Sequence, residues 1–584
     1  MREELVSITQ GRDGRLALRP AGALTMRRLS AALRNAGVTY EAEPGSPFAI
    51  VRADAIDAVL HGLKGWSVKL APGVKDLVGA AADREQRHIR ALAVCRRLAE
   101  DPAAARAELE GYAGLDVLDP HQVIAVAAAS HPAVDGICIF DEQGLGKTVE
   151  ALFAFDRLHE TGIAEKAVIF APKNMVLEWI SDLERFFPGR YRASAIVGTD
   201  AEKRTALDGR ADIYVTNFET ANRLGPRLVD VLGSAGLLIV DESFFVKNAN
   251  SLRTTSVKRI RSQAARCIVL CGTPAPNSAA DLVEQFNIAD GGAAFMGIEL
   301  PTDPAELREV VGEIVAKRGV YLRRLKAQVF ELPSRSFNRI EVPLEPRQRS
   351  LYDSYSDHLA SEVREVSNEE FARRRATFAA RRMALLQICS NPAAVDPAYD
   401  AVPGKLEALD ELLLELIDRR GEKVLVWSFF TRSLDAIVAR YGRYRPVRID
   451  GTVTRAEDRR EAVRRFQQED DTMLFIGNPA AAGAGLTLHS ARHAIYESMS
   501  NQAAHYLQSL DRIHRRGQQR EVEYHVLLAS RTIEESEYGR LLAKELAAQD
   551  LLRDEVVAPV TREGFLSDLL AATSMSKAPQ ANPV

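Results

Sequence analysis

The chain has 584 residues, 46% hydrophobic and 27% charged, enough for about three or four domains at roughly 100–200 residues each. This composition excludes a disordered tail protein and a small stapled scaffold. A net charge of −4, from 76 basic against 80 acidic side chains, excludes the bulk positive field of a histone-like binder, so nucleic-acid contacts must come from local patches. Of the basic residues 15 are lysine and 61 arginine, a skew expected of a GC-rich bacterial or phage genome. Five cysteines (Cys95, Cys138, Cys267, Cys271 and Cys389) without a Cys-x-x-Cys pair exclude a disulfide framework and a zinc ribbon, and fit a reducing compartment. Met1-Arg2-Glu3-Glu4 opens no leader-like apolar stretch, and no run of about 18 apolar residues follows. The expectation is a cytoplasmic protein of a bacterial or phage-infected cell, with no membrane contact.

In chain order, residues 1–113 mix strand-like runs at 48–51 and 67–70 with an amphipathic helical pattern at 53–63, which predicts a small α+β accessory domain. Residues 114–335 carry short apolar runs at 137–140, 167–171, 213–215, 237–240 and 267–270, each followed by a helical segment. That alternation predicts a parallel sheet covered on both faces. Residues 336–402 are charged, Arg-rich and strand-poor, predicting a helical protrusion and linker, with Arg364, Arg373, Arg374, Arg375, Arg381 and Arg382 as an additional phosphate patch or a solvated helix face. The α/β rhythm returns over 403–555, with strands at 424–428, 448–450, 473–476, 494–497 and 522–528. Residues 556–584 predict a C-terminal helix and a small, polar, disordered tail. The fold class is therefore α/β, with two tandem parallel-sheet lobes and helical protrusions.

Asp141-Glu142-Gln143-Gly144-Leu145-Gly146-Lys147-Thr148 follows the strand at 137–140 and precedes a helical run. A strand, a Gly-rich turn and a helix start are what a P-loop needs, because bare backbone N–H groups and the helix dipole must approach the phosphates together. Lys147 would reach the β- and γ-phosphates, and Thr148 would ligate magnesium. Asp141 stands where the generic P-loop has its first glycine. About ninety residues on, Leu237-Leu238-Ile239-Val240-Asp241-Glu242 is an apolar strand ending in two carboxylates. Acids at strand ends are commonplace, but behind a P-loop the pair reads as a magnesium holder, Asp241, and a polariser of the attacking water, Glu242.

The order of motifs resembles the Snf2 family of superfamily 2 helicase-like ATPases, over roughly residues 118–535. Asp141-Glu142 before Gly-Leu-Gly-Lys-Thr is similar to that family's motif I, and Leu118-Asp119-Pro120-His121-Gln122 to its adenine-sensing segment, with Gln122 set to meet the base. Ile169-Phe170-Ala171-Pro172 with Trp179, and Val215-Thr216-Asn217-Phe218-Glu219, resemble the DNA-side segments. Asp241-Glu242-Ser243-Phe244 resembles motif II, and Gly272-Thr273-Pro274 with Asn277 motif III. Leu322-Arg323-Arg324 with Lys326, and Leu386 to Pro392, are similar to segments around the helical protrusions. Residues 424–431, 483–488 and 508–518 resemble motifs IV, V and VI, the last being the most specific signal.

The resemblance implies two RecA-like lobes, ATP and Mg2+ as cofactors, and double-stranded DNA as partner. It implies Lys147, Asp241, Glu242, Arg512 and Arg515 as catalytic residues, with Arg515 the arginine finger and Arg512 its support. Gln122, Gly144, Gly146, Lys147, Thr148 and Gly485 would bind nucleotide, and Thr148 and Asp241 the metal. Sequence-independent tracking needs phosphate contacts, for which Lys173, Asn174, Thr216, Asn217, Ser428, Thr431 and Thr487 are the candidates; each is also a common turn or cap residue type. Residues 1–113 are expected to choose the target, through protein partners or through a fold loosely similar to the recognition domain of fork-remodelling members. One departure stands out: the family's motif II has His where Phe244 stands, and Phe lacks the hydrogen bonds that would tie the carboxylates to motif III. The leading expectation is a duplex translocase that remodels protein–DNA complexes or junctions. A strand-separating helicase or defence-system motor, and an ATP-controlled DNA-binding switch uncoupled by Phe244, stay open beside it.

Overall fold

The computed structural model describes residues 5–11, 15–20, 23–35, 40–41, 48–51, 56, 59–60, 63–249, 251–272, 274, 279–453, 455–482, 486–499, 503–549 and 561–574. The chain divides into two compact units, one of residues 1–141 with 146–324 and one of residues 142–145 with 325–584.

The first unit begins with a four-stranded sheet of β1 (Leu5–Gln10), β2 (Leu16–Pro20), β3 (Ala49–Val51) and β4 (Ser67–Leu70) in the order β3-β2-β1-β4. Alternation sets its inner face: Val6 and Ile8 of β1 and Leu16 and Leu18 of β2 are fully buried, against Leu29 and Leu33 of the helix Ala23–Asn35. The helical pattern at 53–63 lies mostly outside the described residues.

A 29-residue helix, Pro72–Glu100, carries this sheet into the next core. Val74 near its start packs in the small sheet's cluster, whereas Ala91, Cys95 and Leu98 belong to the larger one. Its flank is bolted down by polar contacts: Arg96 donates to the Ala316 carbonyl at 2.6 Å, and Glu85 accepts from both terminal nitrogens of Arg318 at 3.0 and 2.8 Å. The accessory sheet is therefore joined to the following domain through one helix, so the boundary expected near residue 113 falls within a shared core.

That larger core covers a seven-stranded sheet ordered β11-β5-β10-β9-β6-β8-β7. Its strands are β5 (Gly136–Ile139), β6 (Lys166–Phe170), β7 (Ala193–Ile196), β8 (Ile213–Thr216), β9 (Gly236–Val240), β10 (Arg266–Leu270) and β11 (Tyr321–Leu322), and every pairing is parallel. β5, β8 and β9 are buried along their whole length, which is why they read as unbroken apolar runs.

The second unit holds a six-stranded parallel sheet ordered β12-β17-β16-β13-β15-β14. Its strands are β12 (Arg335–Val342), β13 (Val424–Trp427), β14 (Val447–Ile449), β15 (Leu474–Gly477), β16 (His493–Tyr496) and β17 (Val522–Ala529). β12 corrects the expected boundary at residue 336, because the segment assigned to the helical protrusion opens with an edge strand paired to β17 over its full length.

The insert is helical, with Pro346–Glu365, Asn368–Arg373 and Arg375–Ser390 joined by the C-terminal helix Arg562–Ser574. Phe371, Phe378, Phe565 and Leu569 share one core. The Arg-rich segment is largely spent inside this bundle: Arg374 and Arg381 both pair with Glu362, and buried Arg382 pairs with Glu537 at 2.7 Å and Asp568 at 2.9 Å. Those three guanidiniums are therefore already paired with carboxylates of the second unit. Among the described residues, no helix is long and apolar enough to cross a membrane.

Candidate active site

β5 delivers the chain into the Gly-rich turn, where Gly144 and Gly146 take φ of +89° and +91°. Only glycine holds that left-handed backbone without strain. Gly146 caps the helix Lys147–Glu160, so the helix N-terminus and its amides open onto the turn. A Cβ on Gly146 would collide with the Gln122 amide, so Gln122, expected at the nucleotide, does lie against this turn. Its side-chain oxygen accepts from Asp119 N–H at 3.0 Å in a capping box. Lys147 is buried and its ammonium donates to the Asp141 carbonyl at 2.8 Å, while Thr148 follows it on the helix, half-buried.

Asp141 is completely buried and holds the turn's base through Arg324, whose backbone N–H and Nε each donate to it at 3.0 Å and whose Nη2 pairs with its second oxygen. The same guanidinium reaches the His121 carbonyl and, at 3.3 Å, the buried Glu150. Burial first, then the neighbouring Asp141 charge, pushes Glu150 well above the usual carboxylate range, with Arg324 pulling the other way. Asp141 thus anchors the loop to the β11 end of the sheet.

At the end of β9, Asp241 is positioned by backbone and side chain together. Its N–H donates to the Phe170 carbonyl at 2.8 Å, and its carboxylate accepts from the Trp179 indole and from Glu242 N–H, both at 2.9 Å. Burial, followed by the Glu242 charge, raises its carboxyl to about 7, against the Trp179 hydrogen bond and the charge of Lys147. Two desolvated acids that repel each other beside a lysine and a helix N-terminus fit a magnesium–nucleotide complex, because a divalent cation would relieve that repulsion. Glu242 itself sits in the left-handed region, φ +48° and ψ 55°, a strained setting for a non-glycine residue and one that recurs at functional sites. The Trp179 contact is not legible in the sequence, although Trp179 itself belongs to one of the segments resembling the family's DNA-side segments.

The expected break between motifs II and III is bridged by other residues. Ser243 donates to Gln285 Oε1 at 2.6 Å, and Gln285 Nε2 donates to the Pro274 carbonyl and, at 2.7 Å, to the Asp281 carbonyl. Gln285 and Ser243 are both fully buried. Phe244, half-buried, stacks on Phe245 with centroids 4.5 Å apart, and Phe245 on Phe218 at 5.5 Å. Thr273 and Asn277 lie outside the described residues.

In the second unit Arg512 and Arg515 follow the helix Ala503–Leu510 in a turn. They face one way, for both donate to the Leu486 carbonyl, at 3.1 and 3.2 Å. Arg512 is buried and also donates to the Gln508 carbonyl at 2.8 Å, whereas Arg515 is half-buried. Gly485 lies outside the described residues.

The SNF2-related domain model matches residues 120–394, and the helicase conserved C-terminal domain model matches residues 404–517. The chain is thus similar to an SNF2-related domain followed by a helicase conserved C-terminal domain. It is 31% identical over 441 residues to the probable chromatin-remodeling complex ATPase chain of Oryza sativa subsp. japonica, covering 70% of this chain and 38% of that one. To the human SWI/SNF-related matrix-associated actin-dependent regulator of chromatin subfamily A member 1 it is 28% identical over 433 residues, 69% of this chain and 40% of that one. The chain thus spans about two-fifths of the length of these curated relatives. A solved Sulfolobus solfataricus SWI2/SNF2 ATPase core in complex with dsDNA matches at 21% identity and TM-score 0.35, over 75% of this chain and 96% of that one.

The expected DNA-side residues separate into two groups. Lys173 and Asn174 are exposed in a turn after β6, Thr431 is exposed at the start of the helix Thr431–Arg440, and Thr487 is half-buried. Thr216 and Ser428 are fully buried, their hydroxyls meeting the Ile196 carbonyl at 3.1 Å and Ser498 Oγ at 3.1 Å. Asn217 caps the helix Phe218–Leu232 by accepting from Thr220 N–H at 3.2 Å. These three side chains are thus engaged in contacts within the fold.

Proposed function

We propose that the chain is an ATP-driven translocase on double-stranded DNA that remodels protein–DNA complexes or junctions. The observation that carries the reading is the gathering of Lys147, Asp241 and Glu242 around one turn and strand end of the first unit, in a chain whose second unit bears Arg512 and Arg515 on a shared carbonyl. Gly144, Gly146 and Lys147 would hold the ATP phosphates, and Thr148 and Asp241 the magnesium, which when bound offsets charge on the phosphates. Glu242 would orient the attacking water, and Arg515 would meet the charge that develops on the γ-phosphate. Duplex DNA would be followed along its backbone through exposed Lys173, Asn174 and Thr431, contacts that carry no base information. Residues 1–119 lie outside both matched domains, and we assign target choice to their sheet.

The relay from Ser243 through Gln285 to Pro274 supports a coupled motor over an uncoupled switch. The test is steady-state ATP hydrolysis with and without duplex DNA. The wild type should be stimulated by duplex and Lys147→Ala should be inactive in both conditions; equal wild-type rates with and without DNA would refute the reading.

A further inference from the structure

A second cluster of metal-ligand type lies in the other unit and has no part in the nucleotide chemistry. β16 and β17 pair in parallel with His493 opposite Glu523 and Ile495 opposite His525. Side chains two apart on a strand share a face, so Glu523 and His525 point to the same side of the sheet as their cross-strand neighbour His493. The donor atoms converge: His493 Nδ1 lies 3.4 Å from His525 Nε2, and Glu523 Oε2 lies 4.0 Å from each imidazole nitrogen. A triangle with those three sides has a circumradius of about 2.2 Å, matching zinc–nitrogen and zinc–oxygen bond lengths of roughly 2.0–2.2 Å. A nitrogen separation of 3.4 Å is also long for a hydrogen bond between two rings, and close to the edge of a tetrahedron about a zinc ion.

We propose that His493, Glu523 and His525 form a binding site for a divalent transition-metal ion, of the zinc or cobalt kind, that staples β16 to β17. The surroundings supply orientation. His493 is fully buried and His525 nearly so, and it is the neutral imidazole that ligates a metal. The second oxygen of Glu523 is held by Arg492 at 3.1 Å, the kind of outer contact that fixes a ligand's direction. Arg492 and Arg420 also place positive charge near the rings, so the site binds more weakly than an all-anionic one. With three protein donors, one coordination position remains for water.

The test uses metal-stripped, tag-free full chain titrated with Co2+ alone and read by visible absorption, with Zn2+ binding measured by calorimetry. The wild type should take one ion per chain, and Zn2+ should raise its melting temperature. Glu523→Gln, which keeps a hydrogen-bonding partner for Arg492, and His525→Ala should both lose stoichiometric binding and the thermal shift while retaining wild-type far-UV circular dichroism. No uptake by the wild type, or wild-type uptake in folded Glu523→Gln and His525→Ala proteins, would overturn the proposal.

Discussion

The Ser243 hydroxyl donates to the side-chain oxygen of Gln285 over 2.6 Å, and this contact carries the link between the strand-end acids and the Pro274 loop. Replacing Gln285 with Leu conserves much of its volume but leaves Ser243 and two carbonyls buried without this partner. The expected cost is about 1–3 kcal/mol of stability, with hydrolysis losing most of its stimulation by duplex while the DNA-independent rate stays within about threefold. Adding Ser243→Ala should cost less than the sum of the single changes, by about 0.5–3 kcal/mol. Chemical denaturation and ATPase assays on the four proteins of the cycle check both statements, and strict additivity would argue that the relay is incidental.

Arg324 is predicted to be a foundation of the phosphate loop. Arg324→Met leaves Asp141, which is fully buried, without its guanidinium, and breaking a buried pair from one side typically costs about 3–5 kcal/mol. Urea or guanidinium unfolding of the variant should show a loss of that order. An unchanged midpoint would mean that the pair contributes nothing net.

Arg512 and Arg515 share an acceptor but differ in burial, which predicts different phenotypes. Arg515→Ala should fold normally, retain nucleotide binding and lose about 10³-fold or more in turnover, as removal of an arginine finger does. Arg512→Ala removes a buried donor to the Gln508 and Leu486 carbonyls and should also lose about 1–3 kcal/mol of stability. Melting curves beside single-turnover hydrolysis separate the two roles, and the reverse pattern would exchange the assignments.

The C-terminal helix is predicted to be an integral part of the insert. Phe565 is 3% exposed and edge-on to Phe371, with centroids 5.7 Å apart. Phe565→Ala should destabilise the second unit by about 3–5 kcal/mol, the usual cost of emptying a buried aromatic site. Thermal unfolding measured against the wild type checks it.

Legibility in the sequence followed burial. Strands closed in on both faces, such as β5, β9 and β13, were found because no polar residue interrupts them. β7, with the half-buried run Ala193-Ser194-Ala195, and β12, with its alternating Arg335-Ser336-Phe337-Asn338, sit at sheet edges and gave no such run. β12 was for that reason absorbed into the helical insert. At the candidate site the Gly-rich turn and the strand-end acid pair follow from local spacing. The Arg324–Asp141 and Ser243–Gln285 contacts join residues 183 and 42 apart, and no local pattern announces such pairs. The contacts of the Thr216 and Ser428 hydroxyls are illegible for a related reason: sequence identifies a residue that can bind phosphate but not which neighbouring carbonyl or hydroxyl it meets in the fold.

The central claim is movement along duplex DNA, and displacement of a third strand from a duplex carrying a triplex measures it most directly. With ATP the wild type should release the third strand, and Lys147→Ala and Glu242→Gln should not. Failure of the wild type to displace it, or displacement that persists in either variant, would contradict the account.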